Sequence, residues 1–284
     1  MPVEDRLSRA GVTNEAATRI ADNRPGSHRQ PRKFLPMRRR LLTILCPLLA
    51  LPAIAGAQAA SAPAPALPAT TKAEPVRQVL LNLSPYYVPG ATFVATPKVH
   101  VDPAYDALLS SNNIADIRKA RDAIAANPDL VAPETMMVLA IRLYDVGLRD
   151  DAVFWFYAGR DRGLTMDAVL DMRSLTLARR AQLLGGFIDA IAPTMDGYAL
   201  CDVARHQERE DLAIAWVAAH PYKLLGYTGL PARSEDRNAA LVDAVTKLRE
   251  MSAHNRELLS SPELQARLAE ARRQSQADVR FCWK

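Results

Sequence analysis

The 284-residue sequence is poor in the residues on which most recognisable chemistry is built: it has 3 cysteines, 12 glycines and only 6% aromatic residues. No Gly-x-Gly-x-x-Gly fingerprint, Gly-x-x-x-x-Gly-Lys-Ser/Thr loop or Gly-x-Ser-x-Gly elbow occurs, so dinucleotide binding, phosphate-loop chemistry and serine hydrolysis lack their motifs. His100, His206, His220 and His254 are widely separated, with no His-Glu-x-x-His or Cys-x-x-Cys spacing, and no zinc site or other cofactor is expected. Cys201 and His206 stand five residues apart, a helical spacing that does not aim a thiol and a base at each other. No catalytic, cofactor-binding or metal-ligating residue is therefore expected. A carboxylate pair outside any motif stays open, with Asp145, Asp150, Asp151 and Asp161 read as turn, cap and surface residues. The longest apolar run, Leu41 to Ala55, is about 15 residues and holds Pro47 and Pro52, short of the roughly 20 a spanning helix needs.

That run has another use. Met37-Arg38-Arg39-Arg40 precedes it and Ala55-Gly56-Ala57 follows, giving the charged start, apolar centre and small-residue end of a secretion signal. The sequence thus predicts a signal peptide over 37–58, cleaved near Ala57 or Ala59, and a periplasmic or secreted protein. Residues 1–36 are read as upstream sequence from an over-extended start, with translation beginning at Met37. Cys46 lies inside the run after Leu45, which does not suit lipid attachment, and it departs with the leader.

Removing the leader changes the charge. The whole chain carries +5, but residues 1–58 hold 10 Lys+Arg against 4 Asp+Glu, so the totals of 36 and 31 leave 26 and 27 beyond residue 58. The remaining body is near neutral, which withdraws the argument for nucleic-acid or anionic-membrane binding. Its 226 residues are enough to bury a sizeable core. Sparse glycine and plentiful alanine favour an all-α fold over a β-sandwich. The two remaining cysteines, Cys201 and Cys282, are expected to form a disulfide in an oxidising compartment, tying the C-terminus to the middle of the domain.

After an Ala/Pro linker over 59–75, residues 76–103 read as an irregular arm broken by Pro85, Pro89, Pro97 and Pro103, and 104–284 as a helical domain. Asp102-Pro103 signals a short helix to Leu109, and Ile114, Ile117, Ala120 and Ile124 share the face of a second that stops at Asn127-Pro128. Pro133-Glu134 opens a helix striped by Met136, Leu139, Ala140 and Leu143; Gly147 breaks it, and Asp150-Asp151 begins its antiparallel partner. A helix is expected from Asp167 to Leu184, loosened by Gly185-Gly186 and closed by Pro193. Two more fall around 200–205 and 211–219, a long one starts at Ser234-Glu235-Asp236, and a last one starts at Ser261-Pro262-Glu263 with Arg267, Glu270 and Arg273 on a solvated face.

Ala140, Gly147, Ala152 and Phe156 have the spacing of a tetratricopeptide hairpin, and Ala152 to Gly163 resembles the A-x-x-W-Y-x-x-A-A-x-x-G of Sel1-type repeats. Gly159 and Arg160 replace the two alanines, and Phe156 replaces Tyr. The resemblance covers one unit, residues 133–168. An echo at Glu210 to Trp216 is offset by 61 residues, outside either repeat period, so the array is expected to be irregular. The phrase FWFYAG and the segment Pro193 to Ala199 also resemble parts of uncharacterised exported bacterial proteins.

Phe154 to Tyr157 sweep about 300° of a helix, so this helix should be central, with Tyr157 the aromatic best suited to reach a surface. The stretch from His220 to Arg233 reads either as a plain connector or as a binding loop presenting Tyr222 and Tyr227. The expected function is binding of another protein in the cell envelope, as an adaptor or as an inhibitor of a toxin, through Tyr157, Tyr222 and Tyr227. The rival class is a periplasmic enzyme acting on cell-wall polymers. Oligomeric state is not readable.

Overall fold

The computed structural model describes residues 73–283 except Phe93. The secretion signal, its cleavage site, residues 1–36 and all but the last three residues of the Ala/Pro linker lie outside the described residues.

The described part is all-α, with nine helices: α1 Asp106–Leu109, α2 Ile114–Ala126, α3 Pro133–Asp145, α4 Arg149–Val169, α5 Ala178–Ala199, α6 Val203–Ala219, α7 Arg237–Ser260, α8 Pro262–Gln274 and α9 Ala277–Phe281. Before them, β1 Tyr87–Val88 and β2 Lys98–Val99 pair antiparallel, with Tyr87 opposite Val99. This small ribbon belongs to the arm. The arm is not merely laid on the helices: Val79, Leu83, Tyr87 and Val99 are buried in the same core as α2 to α6. Val79 N–H donates to Asp145 Oδ1 at 2.8 Å, and Tyr144 Oη donates to the Val76 carbonyl at 3.1 Å.

The hairpin of α3 and α4 forms for local reasons. Pro133 occupies the first turn of α3, where its missing N–H costs nothing. At the other end Gly147 takes φ +85°, a left-handed conformation that favours glycine. Leu148 N–H then reaches the Leu143 carbonyl and Gly147 N–H the Tyr144 carbonyl, satisfying the end of α3 in a Schellman turn that reverses the chain. Every residue from Pro133 to Tyr144 is buried, so α3 is enclosed on all sides rather than along one stripe.

Central position falls to α4, which packs against α3, α5, α6 and α7. Two glycines on nearly one face permit the approach. A Cβ at Gly159 would meet the Pro133 carbonyl and the Met136 Cβ at 3.2 Å, and one at Gly163 would come within 2.8 Å of Leu184 Cδ2. Glycine in place of the first alanine of the repeat-like phrase thus fits the close approach of α3 to α4, where a methyl would press on its neighbours by a few tenths of an ångström.

Three expected boundaries are corrected. Asp167 to Leu184 is not one helix: α4 runs on to Val169, the chain turns through 170–177 with Leu175 fully exposed, and α5 starts at Ala178. Gly185, Gly186 and Pro193 all lie within α5. The proline does not end it, because Ile191, Met195 and Ala199 bury on either side and offset the roughly 3 kcal/mol that an interior proline costs. Third, 200–219 holds one helix, α6, capped by the Asp202 side chain accepting from Arg205 N–H. It looked broken because His206 and Glu210 interrupt the apolar stripe, yet both are buried in register with Ala213 and Val217.

Candidate functional site

The face of α4 turned toward α5 and α6 is a line of buried polar side chains. Tyr157, Arg160 and Asp161 come from α4, Asp196 from α5, and His206 and Glu210 from α6. Tyr157 Oη donates to Asp196 Oδ1 at 3.0 Å and lies 2.9 Å from His206 Nδ1. A hydroxyl has one proton, so with that proton on the Asp196 bond, His206 Nδ1–H is the donor to Tyr157. If Asp196 is protonated the chain can reverse, with Asp196 donating to Tyr157 and Tyr157 to His206. Beside it, Arg160 Nε donates to Asp161 Oδ1 at 2.8 Å and Nη2 to Glu210 Oε1 at 3.1 Å, while its guanidinium sits 4.7 Å from the Tyr157 ring centroid.

Three carboxyl groups thus share one cation inside the core. Burial pushes Asp196 up to about 7, against the pull of Arg160 and of the Tyr157 hydrogen bond. Burial likewise lifts Asp161 to about 6 despite Arg160. Burial also holds His206 below its ordinary value, with Glu210 opposing, and raises Tyr157, reinforced by Asp196. For Arg160 burial works against the charge, but Asp161 and Glu210 outweigh it and keep the guanidinium protonated. Asp161 Oδ2, Asp196 Oδ2 and His206 Nε2 have no hydrogen-bond partner among the described residues. An oxygen without a donor is easier to bury protonated or neutral than charged, which agrees with the raised carboxyls.

The opposite side of α4 carries Arg162, fully buried and used as a clamp. Its Nη1 donates to the carbonyls of Pro128 and Val131, both at 2.7 Å, and Nη2 to that of His220 at 2.7 Å. The guanidinium lies 4.9 Å from the Trp216 ring centroid and 5.5 Å from that of Tyr222. One side chain so joins the end of α2 to the start of the 220–233 stretch.

The three tyrosines expected to meet a partner are separated by the fold. Tyr157 is 0% exposed and forms the centre of the buried cluster, because its polar tip finds Asp196 and His206 rather than water. Tyr222 is 7% exposed and packs against Arg162. Neither can touch a docking protein. Tyr227 is 61% exposed, on a stretch fastened at several points. Arg237 donates to the carbonyls of Leu225 and Leu230 at 2.8 and 2.6 Å, Asp171 N–H to that of Pro231, and Arg233 N–H to that of Val169. The Tyr227 ring leans over Gly229, where a Cβ would come within 2.6 Å of it.

Alongside this loop, α7 borders two open grooves. One, of about 290 Å³, is lined by Asp211, Ile214 and Ala215 of α6 and by Arg249, Ala253 and Arg256 of α7. The other, of about 80 Å³, lies between Leu164 and Ala168 of α4 and Ala240 to Leu248 of α7. None of the six cluster residues lines either groove. Among the described residues no group of three or more His, Cys, Asp or Glu is placed to hold a metal ion. No helix of the described residues is long and apolar enough to cross a membrane.

Cys201 and Cys282 are joined in a disulfide, with Cα atoms 5.5 Å apart. The cluster around Arg160 was not foreseen from the sequence. Its one signal is the i, i+4 pair His206 and Glu210 standing in line with Ala213 and Val217, a polar interruption that keeps the helical period.

These features define a class: an all-α protein built around a helical hairpin whose central helix buries an acidic, singly cationic cluster. No family model matches the chain, and no solved structure matches it. A protein of Haemophilus influenzae (strain KW20/Rd), described as an uncharacterized protein, is 32% identical over 210 residues, 74% of this chain and 81% of the relative. The chain belongs to the family of that Haemophilus influenzae protein.

Proposed function

We propose that the chain is exported by its Met37 leader and acts in the cell envelope by binding another protein, as an adaptor or inhibitor on a scaffold of tetratricopeptide or Sel1 character. The observation that carries this reading is Tyr227, exposed on a loop whose backbone is held by Arg237, Arg233 and Asp171. An aromatic presented on an ordered backbone loses little entropy on docking and is a common energetic centre of interfaces. The binding face is thereby narrowed to the 220–233 loop and the adjoining α7 surface, without Tyr157 or Tyr222. For the rival cell-wall enzyme, the perturbed carboxyls would be Asp145, Asp161 and Asp196; Asp161 and Asp196 lie beneath α4, α5 and α6, Asp145 is held by Arg142 and the Val79 N–H, and none of the three lines either groove.

The test is a pull-down from envelope extracts with the mature chain and with Tyr227→Ala. A partner retained by wild type and lost by at least tenfold in the variant, at unchanged melting temperature, supports the reading. Retention of every partner by the variant contradicts it.

A further inference from the structure

The C-terminal segment is closed onto the body by a clasp with an unusual charge beside its covalent bond. Phe281 of α9 packs on Gly197 of α5, where a Cβ would come within 2.7 Å of the ring. The Arg280 carbonyl accepts the Val76 N–H at 2.9 Å, linking α9 to the arm. The Trp283 ring centroid lies 3.7 Å from the Arg149 guanidinium carbon and 5.3 Å from that of Arg77. The disulfide, closing 81 residues, is the covalent part of this clasp.

The two sulfurs are not equivalent. Arg272, buried on α8, places Nη2 2.8 Å from Cys282 Sγ and 3.4 Å from Cys201 Sγ. The same guanidinium donates to the Gly197 carbonyl at 3.3 Å and to Asp278 Oδ1 at 3.0 and 2.9 Å. Asp278 Oδ1 is itself 3.5 Å from Cys282 Sγ and opposes negative charge there. Cys201 is exposed whereas Cys282 is partly buried. A nucleophile reaches Cys201 more readily, and the sulfur nearer the cation is the better leaving group.

We propose that Cys201–Cys282 is a redox-active bond, exchanged by dithiol reductants through attack at Cys201 with Cys282 leaving as a thiolate held by Arg272. In the first step a thiolate of the reductant forms an S–S bond to Cys201 Sγ, the Sγ–Sγ bond breaks, and its electron pair goes to Cys282 Sγ. In the second, the other thiolate of the reductant attacks the mixed disulfide, Cys201 leaves as a thiolate that takes a proton from water, and the reductant becomes a disulfide. The two electrons gained by the cysteines equal the two lost by the dithiol. Once reduced, residues 277–283 keep only non-covalent holds: Phe281 on α5, Trp283 on Arg149 of α4, Asp278 on Arg272 of α8, and the arm at Val76 and Arg77.

The experiment uses the oxidised full chain from Ala59, with dithiothreitol as probe, followed by acid quench, alkylation and mass measurement. Wild type is expected to be reduced about tenfold faster than Arg272→Gln, the effect of one charge-assisted hydrogen bond on the departing sulfur. Asp278→Asn, which removes the opposing carboxylate, is expected to be reduced faster than wild type. Glutathione, a monothiol, should leave its adduct on Cys201. A variant that merely loosens the clasp would be reduced faster, so slowing in Arg272→Gln separates leaving-group stabilisation from damage to the fold. Reduction of Arg272→Gln as fast as wild type or faster, no acceleration in Asp278→Asn, or an adduct on Cys282 would each overturn the proposal.

Discussion

Replacing Asp196 by Asn should make the protein more stable at alkaline pH, an outcome opposite to that of most substitutions of buried polar residues. The carboxyl is held near pH 7 in the folded protein, against 3.8 for the free side chain. Its folded value is raised, so its contribution to stability is fully present below about pH 4. That contribution declines as pH climbs toward 7, because the unfolded chain gives up the proton first. A difference of about three units corresponds to on the order of 4 kcal/mol lost by the plateau above pH 7. The groups facing it are Tyr157 and Arg160 from α4 and His206 and Glu210 from α6, and Arg160 alone favours its anion by charge. An asparagine still accepts from Tyr157 through its amide oxygen. Weakening of that bond should offset about 1 kcal/mol, leaving a gain of about 3 kcal/mol at pH 8. Urea unfolding of both chains with the disulfide intact, at pH 5 and pH 8, measures this directly. His206, whose folded value is lowered, destabilises both proteins as pH falls below 6.5 and is neutral at pH 8, where the two are compared. An Asp196→Asn variant less stable than wild type at pH 8, or one with the same pH slope, would show that Asp196 is a stabilised anion and refute the reasoning.

Two further outcomes follow from the packing. Arg162→Lys should lower stability by about 3 kcal/mol, since one ammonium cannot span the carbonyls of Pro128, Val131 and His220 that the planar guanidinium joins; urea midpoints check it, and a loss under 1 kcal/mol contradicts the clamp. Cys282→Ser should cost about 4 to 5 kcal/mol in the chain-entropy account of an 81-residue closure, read as a fall in the melting temperature of the oxidised protein. A melting temperature unchanged by that substitution would mean that Phe281 and Trp283 hold the tail unaided.

What could be read from the sequence was whatever depended on neighbours along the chain. Pro133 and Gly147 mark helix ends through backbone geometry, α3 begins and α2 ends at the expected signals, and α7 is capped by Asp236, the last of the three residues read as its start. The stripe of Ile117, Ala120 and Ile124 is an ordinary amphipathic face. The reading failed where polar residues are buried. His206 and Glu210 made α6 look like two helices, and Tyr157 looked like a surface residue, because the partners that neutralise them come from elements 39 to 50 residues away. Tyr222 was missed in the same way, since its cover is Arg162, sixty residues upstream in sequence and charged. Pro193 misled for another reason: a breaker is tolerated when both flanking turns are pinned by core contacts, and that information is tertiary. Cys201 and Cys282 could be paired by elimination once Cys46 was assigned to the leader, whereas the position of Arg272 against their sulfurs could not.

The proposed contact with another protein in the envelope rests on Tyr227. A photoreactive side chain at position 227, irradiated in cells, tests this most directly, with position 175, more exposed still on the same scaffold, as the control. One dominant cross-linked protein is expected from 227 and none from 175, displaced by excess wild-type chain but not by Tyr227→Ala. The same products from both positions, or none from 227, would contradict it.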